Sequence, residues 1–387
     1  MTMSTEPRAA ATSATPARRT GWPQLVADML SPVVEQACRT AETAVLLGAS
    51  VPELAGGMVR AALGPQSSCR RLVVAEPDGR LRDLTKAQAG ELACDARLAV
   101  VAADFDDLRT DPAAVEALLA KGAPAGYDGY RKLARQVAEA GRRSPLVADG
   151  SADLVVLDMV PNRLSRADGE RSLDEAFRIL SREGRLLLVV LVTDEPLPDD
   201  EVSAAGPPMV TVRRLTTLPV ETEAFAMLDR AGFHGMNLLW ATGAPVNEDR
   251  GAHIRCFVIE AFRGKQGICL DQGHAVVYRG PWREVVDDDG HRYVRGERTA
   301  VCAKTYGVLM RAPYDGMLTG IPSTLSVPLD QAPLFDCATP RLREPAVTKG
   351  RIGLDGDGTV SAPASASVSA PVSRPAPACA PGSGCCS

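Results

Sequence analysis

The sequence is poor in aromatic residues, 4% of 387, and has four histidines. It has no run approaching the roughly 20 consecutive apolar residues that a bilayer span needs, which excludes a membrane-spanning helix. It lacks a basic excess: Lys and Arg number 43 against 48 Asp and Glu, for a net charge of −5. Nucleic-acid binding wants a basic footprint and stacking rings, so nucleic acid is excluded as a partner. The first twenty residues lack the apolar core of a secretory signal, and a cytoplasmic location is the expectation. There is no internal repeat, no GxGxxG or GxGxG, and no Ser/His/Asp or Cys/His arrangement. No two histidines stand at i, i+4, which argues against zinc held by a histidine pair.

What is present is an ordinary globular balance, 45% hydrophobic and 24% charged, over a length that suits two domains. The first two-thirds alternates apolar runs with helical spacing. Strands are expected at Glu42–Gly48, Arg71–Glu76, Arg97–Asp104, Ser151–Asp158 and Arg185–Val192. Helices are expected at Val51–Leu63, Asp111–Ala120, Tyr127–Gly141 and Glu170–Leu180. A turn at Arg182–Gly184 precedes the fifth strand. A helix at Pro219–Ala231 and closing strands at Met236–Trp240 and His253–Phe262 follow. Such alternation predicts an α/β fold built on a doubly wound, mostly parallel sheet, with ligands at the strand carboxyl ends. From Gly264 the pattern changes to a small α+β appendage. A strand spans His274–Gly280, a hairpin turns at Asp289 and Gly290, and a helix is stopped by Pro313. The run Asp287–Asp289 reads as a solvated hairpin turn rather than a calcium loop.

These boundaries give four segments: an N-terminal arm over 1–20, an α/β domain over 21–263, the appendage over 264–350, and a tail over 351–387. From Thr359 to Ser387 the tail is rich in Ala, Ser and Pro and nearly uncharged, a composition that cannot offset its ordering entropy. It carries Cys379, Cys385 and Cys386.

The strand ends supply the candidate site. Gly48 and Ser50 follow strand one, where a nucleotide-binding turn needs close backbone approach. Glu76 ends strand two, where an acceptor-only carboxylate can take both ribose hydroxyls. Asp104 and Phe105 end strand three and could hold an adenine. Asp158, Met159 and Asn162 end strand four, beside a transferred group. The competing reading is equally simple: Gly48 only terminates a strand, and Glu76 is a solvated turn residue beside Pro77, Asp78 and Gly79.

Of the ten cysteines, Cys38, Cys69, Cys94 and Cys256 sit in apolar or helical contexts that suggest core thiols. Cys269, Cys302 and Cys337 are far apart in sequence and fit no CxxC pattern, and packing is favoured over ligation for Cys269 and Cys302. Cys385 and Cys386 are the metal or redox candidates.

Three segments together resemble the arsenite methyltransferase-like branch of the class I S-adenosylmethionine-dependent methyltransferases. VADGSADLVVLDMVPNRL is similar to that branch's fourth-strand motif. DEAFRILSREGRLLLVV is similar to its helix, turn and fifth strand. RGKQGICLDQGHAVVYRGPWREVVDDDGHRYVRGERTAVCAKTY is similar to its C-terminal region and is the most specific match. The resemblance covers about Arg97 to Gly350, and the closing Cys385 and Cys386 are similar to the Cys-rich ends of that branch.

The resemblance implies a Rossmann-like fold and S-adenosylmethionine as cofactor, over Gly48, Ser50, Glu76, Asp104, Phe105 and Met159. It implies an acceptor near Asp158 and Asn162, with Asp158 the base if the acceptor carries a proton. Its departures matter equally. The first loop, GASVPELAGG, contains Pro52 and Glu53. Asp158 and Met159 stand where the branch has a metalloid-binding cysteine, and no cysteine lies between Thr193 and Arg230. Soft trivalent arsenic wants thiolate ligands. Three readings therefore stand: a methyltransferase acting on a small-molecule acceptor, a catalytically inactive pseudoenzyme serving as a protein partner's subunit, and a thiol-based metal or metalloid binder using the tail.

Overall fold

A computed structural model describes residues 28, 32–34, 36–37, 40–50, 52–197, 215–264, 266–325 and 327–354. The N-terminal arm expected over 1–20 lies outside the described residues. So do Cys38 and most of the tail, with Cys379, Cys385 and Cys386.

The chain divides into two compact units. The first holds residues 1–267, 286–290 and 307–317; the second holds 268–285, 291–306 and 318–387. In the first, strands β1 (Thr43–Leu47), β2 (Arg71–Ala75), β3 (Leu98–Val101), β4 (Ala152–Asp158) and β5 (Leu180–Thr193) run parallel. β6 (His234–Ala241), β7 (Asn247–Asp249) and β8 (Ala252–Phe262) complete an eight-stranded sheet of order β3-β2-β1-β4-β5-β8-β6, with β7 on β8. β8 is antiparallel to both β5 and β6. The fold is the Rossmann-like, doubly wound α/β arrangement that the alternation predicts.

The central runs of the strands are apolar because both faces are covered. Ala44, Leu46, Leu72, Val74, Leu154 and Val156 point into one core layer. Their neighbours Val45, Leu47, Val73, Ala75, Val155 and Leu157 point into the other. Helix α1 (Pro52–Leu63) buries Leu54, Met58 and Val59 in the first layer. Helix α2 (Gly79–Ala89) adds Leu81 to it. α3 (Pro112–Leu119) and α4 (Gly126–Arg143) follow β3. The single-turn α5 (Val160–Arg163) leaves β4 directly. α6 (Arg166–Ile179) and α7 (Glu221–Arg230) cover the second layer with Leu173, Ile179, Met227 and Leu228.

Two expectations need correction. The segment Pro77–Gly79 does not simply turn. Asp78 caps α2, its carboxylate accepting from the Arg80 and Leu81 amides at 2.8 and 3.4 Å. The turn Arg182–Gly184 does not precede β5 but is carried inside it. Ala152 pairs with Leu180 and Leu154 with Arg185, so an irregularity absorbs the extra residues.

The second unit contains β9 (Ala275–Tyr278), β12 (Arg298–Ala300) and β13 (Leu318–Ile321) in an antiparallel sheet of order β12-β9-β13. The hairpin strands are β10 (Glu284–Val286) and β11 (Arg292–Val294), with Gly290 at φ +80° in the turn. Helix α8 spans Ala303–Leu309 and the short α9 Pro345–Thr348. No described helix is long and apolar enough to cross a membrane.

Candidate functional site

Parallel strands β1, β2 and β4 end side by side, and their C-terminal residues converge. Gly48 takes φ +87°, and a Cβ there would stand 2.6 Å from the Asp158 carbonyl oxygen. The glycine is thus required by the contact between β1 and β4 themselves. Ser50 is fully buried, its hydroxyl donating to the same Asp158 carbonyl at 3.3 Å.

Glu76 is fully buried as well, so it is not a solvated turn residue. Both of its carboxylate oxygens are engaged. Oε2 accepts from the Ala49 amide at 3.0 Å and from Arg163 Nη1 at 2.5 Å. Oε1 accepts from the Asp78 amide at 2.9 Å and from Arg163 Nη2 at 2.7 Å. The Arg163 guanidinium also lies over the Phe105 ring, 4.8 Å from its centroid. Asp104 is exposed, whereas Phe105 is buried beneath the arginine.

Beyond β4, Met159 and Asn162 are committed to packing and to backbone hydrogen bonds. Met159 takes the left-handed conformation, φ 57° and ψ 26°, and its buried side chain joins the core layer under α1. Asn162 was expected beside a transferred group. Instead its Nδ2 donates to the Leu191 and Thr217 carbonyls at 2.8 and 3.0 Å, and its Oδ1 accepts from the Leu191 amide at 2.8 Å. It ties the end of β5 to the segment that leads into α7, and has no amide atom left for an acceptor. Asp158 is fully buried.

Glu76 and Phe105, expected to hold the ribose and adenine of S-adenosylmethionine, are both engaged by Arg163. Arg163, which joins Glu76 to Phe105, is not among the residues the sequence offers for the site. Its signal in the sequence is a cation one turn beyond β4.

A second constellation lies in the second unit. The Sγ atoms of Cys269, Cys302 and Cys337 are all within 4.8 Å of one another. This corrects the expectation that Cys269 and Cys302 merely pack. Backbone pairing collects them. The Phe335 amide donates to the Cys269 carbonyl at 2.9 Å, and the Ala303 amide to the Leu270 carbonyl at 2.8 Å. Cys302 is fully buried, while Cys269 and Cys337 are half-buried. Burial pushes the Cys269 thiol up, but hydrogen bonds with Cys337 and Cys302 and the nearby Lys304 ammonium bring it below its ordinary range. Burial pushes the Cys337 thiol up, as does donating its proton towards Cys269.

Residues 265–352 match a family described as a domain of unknown function, DUF8838, and all three cysteines fall inside that span. No curated protein matches the chain. Among solved structures, the chain is similar to an arsenic(III) S-adenosylmethionine methyltransferase from Chlamydomonas reinhardtii. That likeness has 16% identity and a TM-score of 0.41, over 78% of this chain and 88% of that one. It is also similar to a geranyl diphosphate C-methyltransferase from Streptomyces coelicolor, at 14% identity and a TM-score of 0.40, over 62% and 80%. The YcgJ protein of Bacillus subtilis aligns at 12% identity and a TM-score of 0.40, over 62% and 99%. Likenesses of this degree assign no activity.

Proposed function

We propose that this chain is a methyltransferase-fold protein whose S-adenosylmethionine crevice is held shut by Arg163, so that the cofactor binds only in competition with the Arg163–Glu76 pair. The observation that carries this reading is Glu76 itself. A buried carboxylate at the end of β2, braced by the amides of Ala49 and Asp78, is the group a ribose diol would seek. The acceptor in this reading is a small molecule other than arsenite, because the edge of β4 and β5 lacks the two thiols that trivalent arsenic would need.

Separating a buried ion pair by removing one partner costs about 3–5 kcal/mol. A ligand that must displace Arg163 from Glu76 loses affinity in the same sense, and about 3 kcal/mol is roughly a hundredfold. Calorimetric titration with S-adenosylmethionine therefore separates the readings. Arg163→Ala should bind about a hundredfold more tightly than the wild-type chain.

A second reading is favoured by the same closure: a subunit that never takes the cofactor and serves a protein partner. It expects no heat from either protein although both are folded, and a stable complex with another polypeptide on native mass spectrometry.

A further inference from the structure

The three thiols belong to the second unit, and Glu76 with Arg163 to the first. We propose that Cys269, Cys302 and Cys337 bind one thiophilic ion through three thiolates. Three segments distant in sequence bring their sulfurs to one point, which apolar packing alone does not demand. Among the described residues, the small apolar cluster here buries Ala300, Cys302 and Phe335, with Cys269 and Cys337 against it.

The distances suit an ion. Two thiolates on a tetrahedral zinc, each at about 2.3 Å, stand about 3.8 Å apart. The sulfurs, all within 4.8 Å of one another, need to close by about 1 Å or less to meet that geometry. The surroundings suit thiolates. The Thr305 amide donates to Cys302 Sγ at 3.3 Å, and the Thr305 hydroxyl lies 3.1 Å from the same sulfur. Such outer hydrogen bonds orient a ligating sulfur and temper its charge. Lys304 adds a cation beside Cys269. Soft sulfur ligands select zinc-like ions or trivalent metalloids over magnesium or calcium.

Binding is an exchange of protons for the ion. A divalent ion forms three sulfur–metal bonds as three S–H protons leave to solvent. Arsenous acid would form three sulfur–arsenic bonds and release three waters, each made from one hydroxyl and one thiol proton. Neither exchange needs an oxidant or a reductant. The half-buried Cys269 and Cys337 leave a side from which the ion can arrive.

The test uses the full-length, reduced, metal-stripped chain with Cys379, Cys385 and Cys386 changed to Ser, so that tail thiols cannot contribute. Zinc, cadmium and arsenite are titrated separately, with stoichiometry read by native mass spectrometry and cadmium also by its thiolate charge-transfer absorption. One ion per chain is expected, lost in Cys302→Ser and kept in Cys94→Ser. Binding of zinc and cadmium alone assigns a divalent ion, and binding of arsenite alone assigns a trivalent one. Should Cys302→Ser fail to fold, alkylation mapped by peptide mass spectrometry decides the matter on the unsubstituted site. The ion should protect Cys269, Cys302 and Cys337 together and leave reactive Cys94, which the structure exposes rather than placing in the core. No binding of any of the three ions, or protection that leaves out one of the three cysteines, overturns the proposal.

Discussion

Arg163 grips both carboxylate oxygens of Glu76 from a one-turn helix that starts two residues beyond β4, at 2.5 and 2.7 Å. Glu76 has no exposed surface, and the arginine side chain is 11% exposed. The pair therefore lies at the edge where a doubly wound sheet ordinarily receives its ligand. It also makes the two residues interdependent in folding.

Removing one partner should cost more than removing both. Arg163→Ala leaves a buried carboxylate braced only by two amides, and should lower stability by about 3 kcal/mol in urea unfolding. The exchange Glu76→Arg with Arg163→Glu should not restore it. The Ala49 and Asp78 amides need an acceptor at position 76, and an arginine offers none. Recovery of wild-type stability by the exchange would show that the amides are irrelevant.

Gly48→Ala should be destabilising for two reasons that act together. Its φ of +87° strains any L side chain, and the new Cβ would stand 2.6 Å from the Asp158 carbonyl oxygen. We expect a loss of about 2 kcal/mol or more, read as a lowered Tm. An unchanged Tm would mean that β1 and β4 can separate at little cost.

The regular elements of the α/β domain are legible because strands covered on both faces carry continuous apolar runs, as AVLL in β1 and LLLVVLV in β5 are. Helix α2 is not legible. Pro77, Asp78 and Gly79 have the composition of a turn, and only the hydrogen bonds of Asp78 reveal a cap. Glu76 and Phe105 could be read as site residues from their places at strand ends. Arg163 could not, since its pairing with Glu76 spans 87 residues and depends on how β2 and β4 flank β1. Asn162 has the residue type and place of a site group, but its neighbours in space turn it into a brace. The thiol cluster has no local signature either. Cys269 and Cys337 meet through backbone pairing between residues 269–271 and 333–335.

Asn162→Ala should act as a structural lesion. It strips hydrogen bonds from the Leu191 amide and from the Leu191 and Thr217 carbonyls in a fully buried setting. Unmet buried groups cost about 1–3 kcal/mol each, so a loss of about 3 kcal/mol is expected in denaturant unfolding. A wild-type unfolding midpoint would show that solvent reaches these groups.

The second unit should weaken in mild acid. Burial holds the His274 imidazole below its ordinary 6.5, and the Arg343 guanidinium adds to this against the opposing Asp271 carboxylate. Its Nδ1 accepts from the Ser323 amide at 3.0 Å, which requires the neutral ring. A base with a lowered folded pKa binds its proton more readily when unfolded. Stability is therefore complete above about pH 6.5 and falls as pH drops through 6.5 towards the folded value. Amide exchange at Ser323 and Leu325, corrected for its intrinsic pH dependence, should be faster at about pH 5.5 than at about pH 7.5. Equal protection at both would remove His274 as the cause.

A crystal structure of Arg163→Ala grown with S-adenosylhomocysteine tests the latched crevice most directly. The account predicts ribose hydroxyls on the two oxygens of Glu76 and the adenine against Phe105, in the space the guanidinium has left. Protein atoms filling that space, with no nucleoside bound beside Glu76, would contradict it.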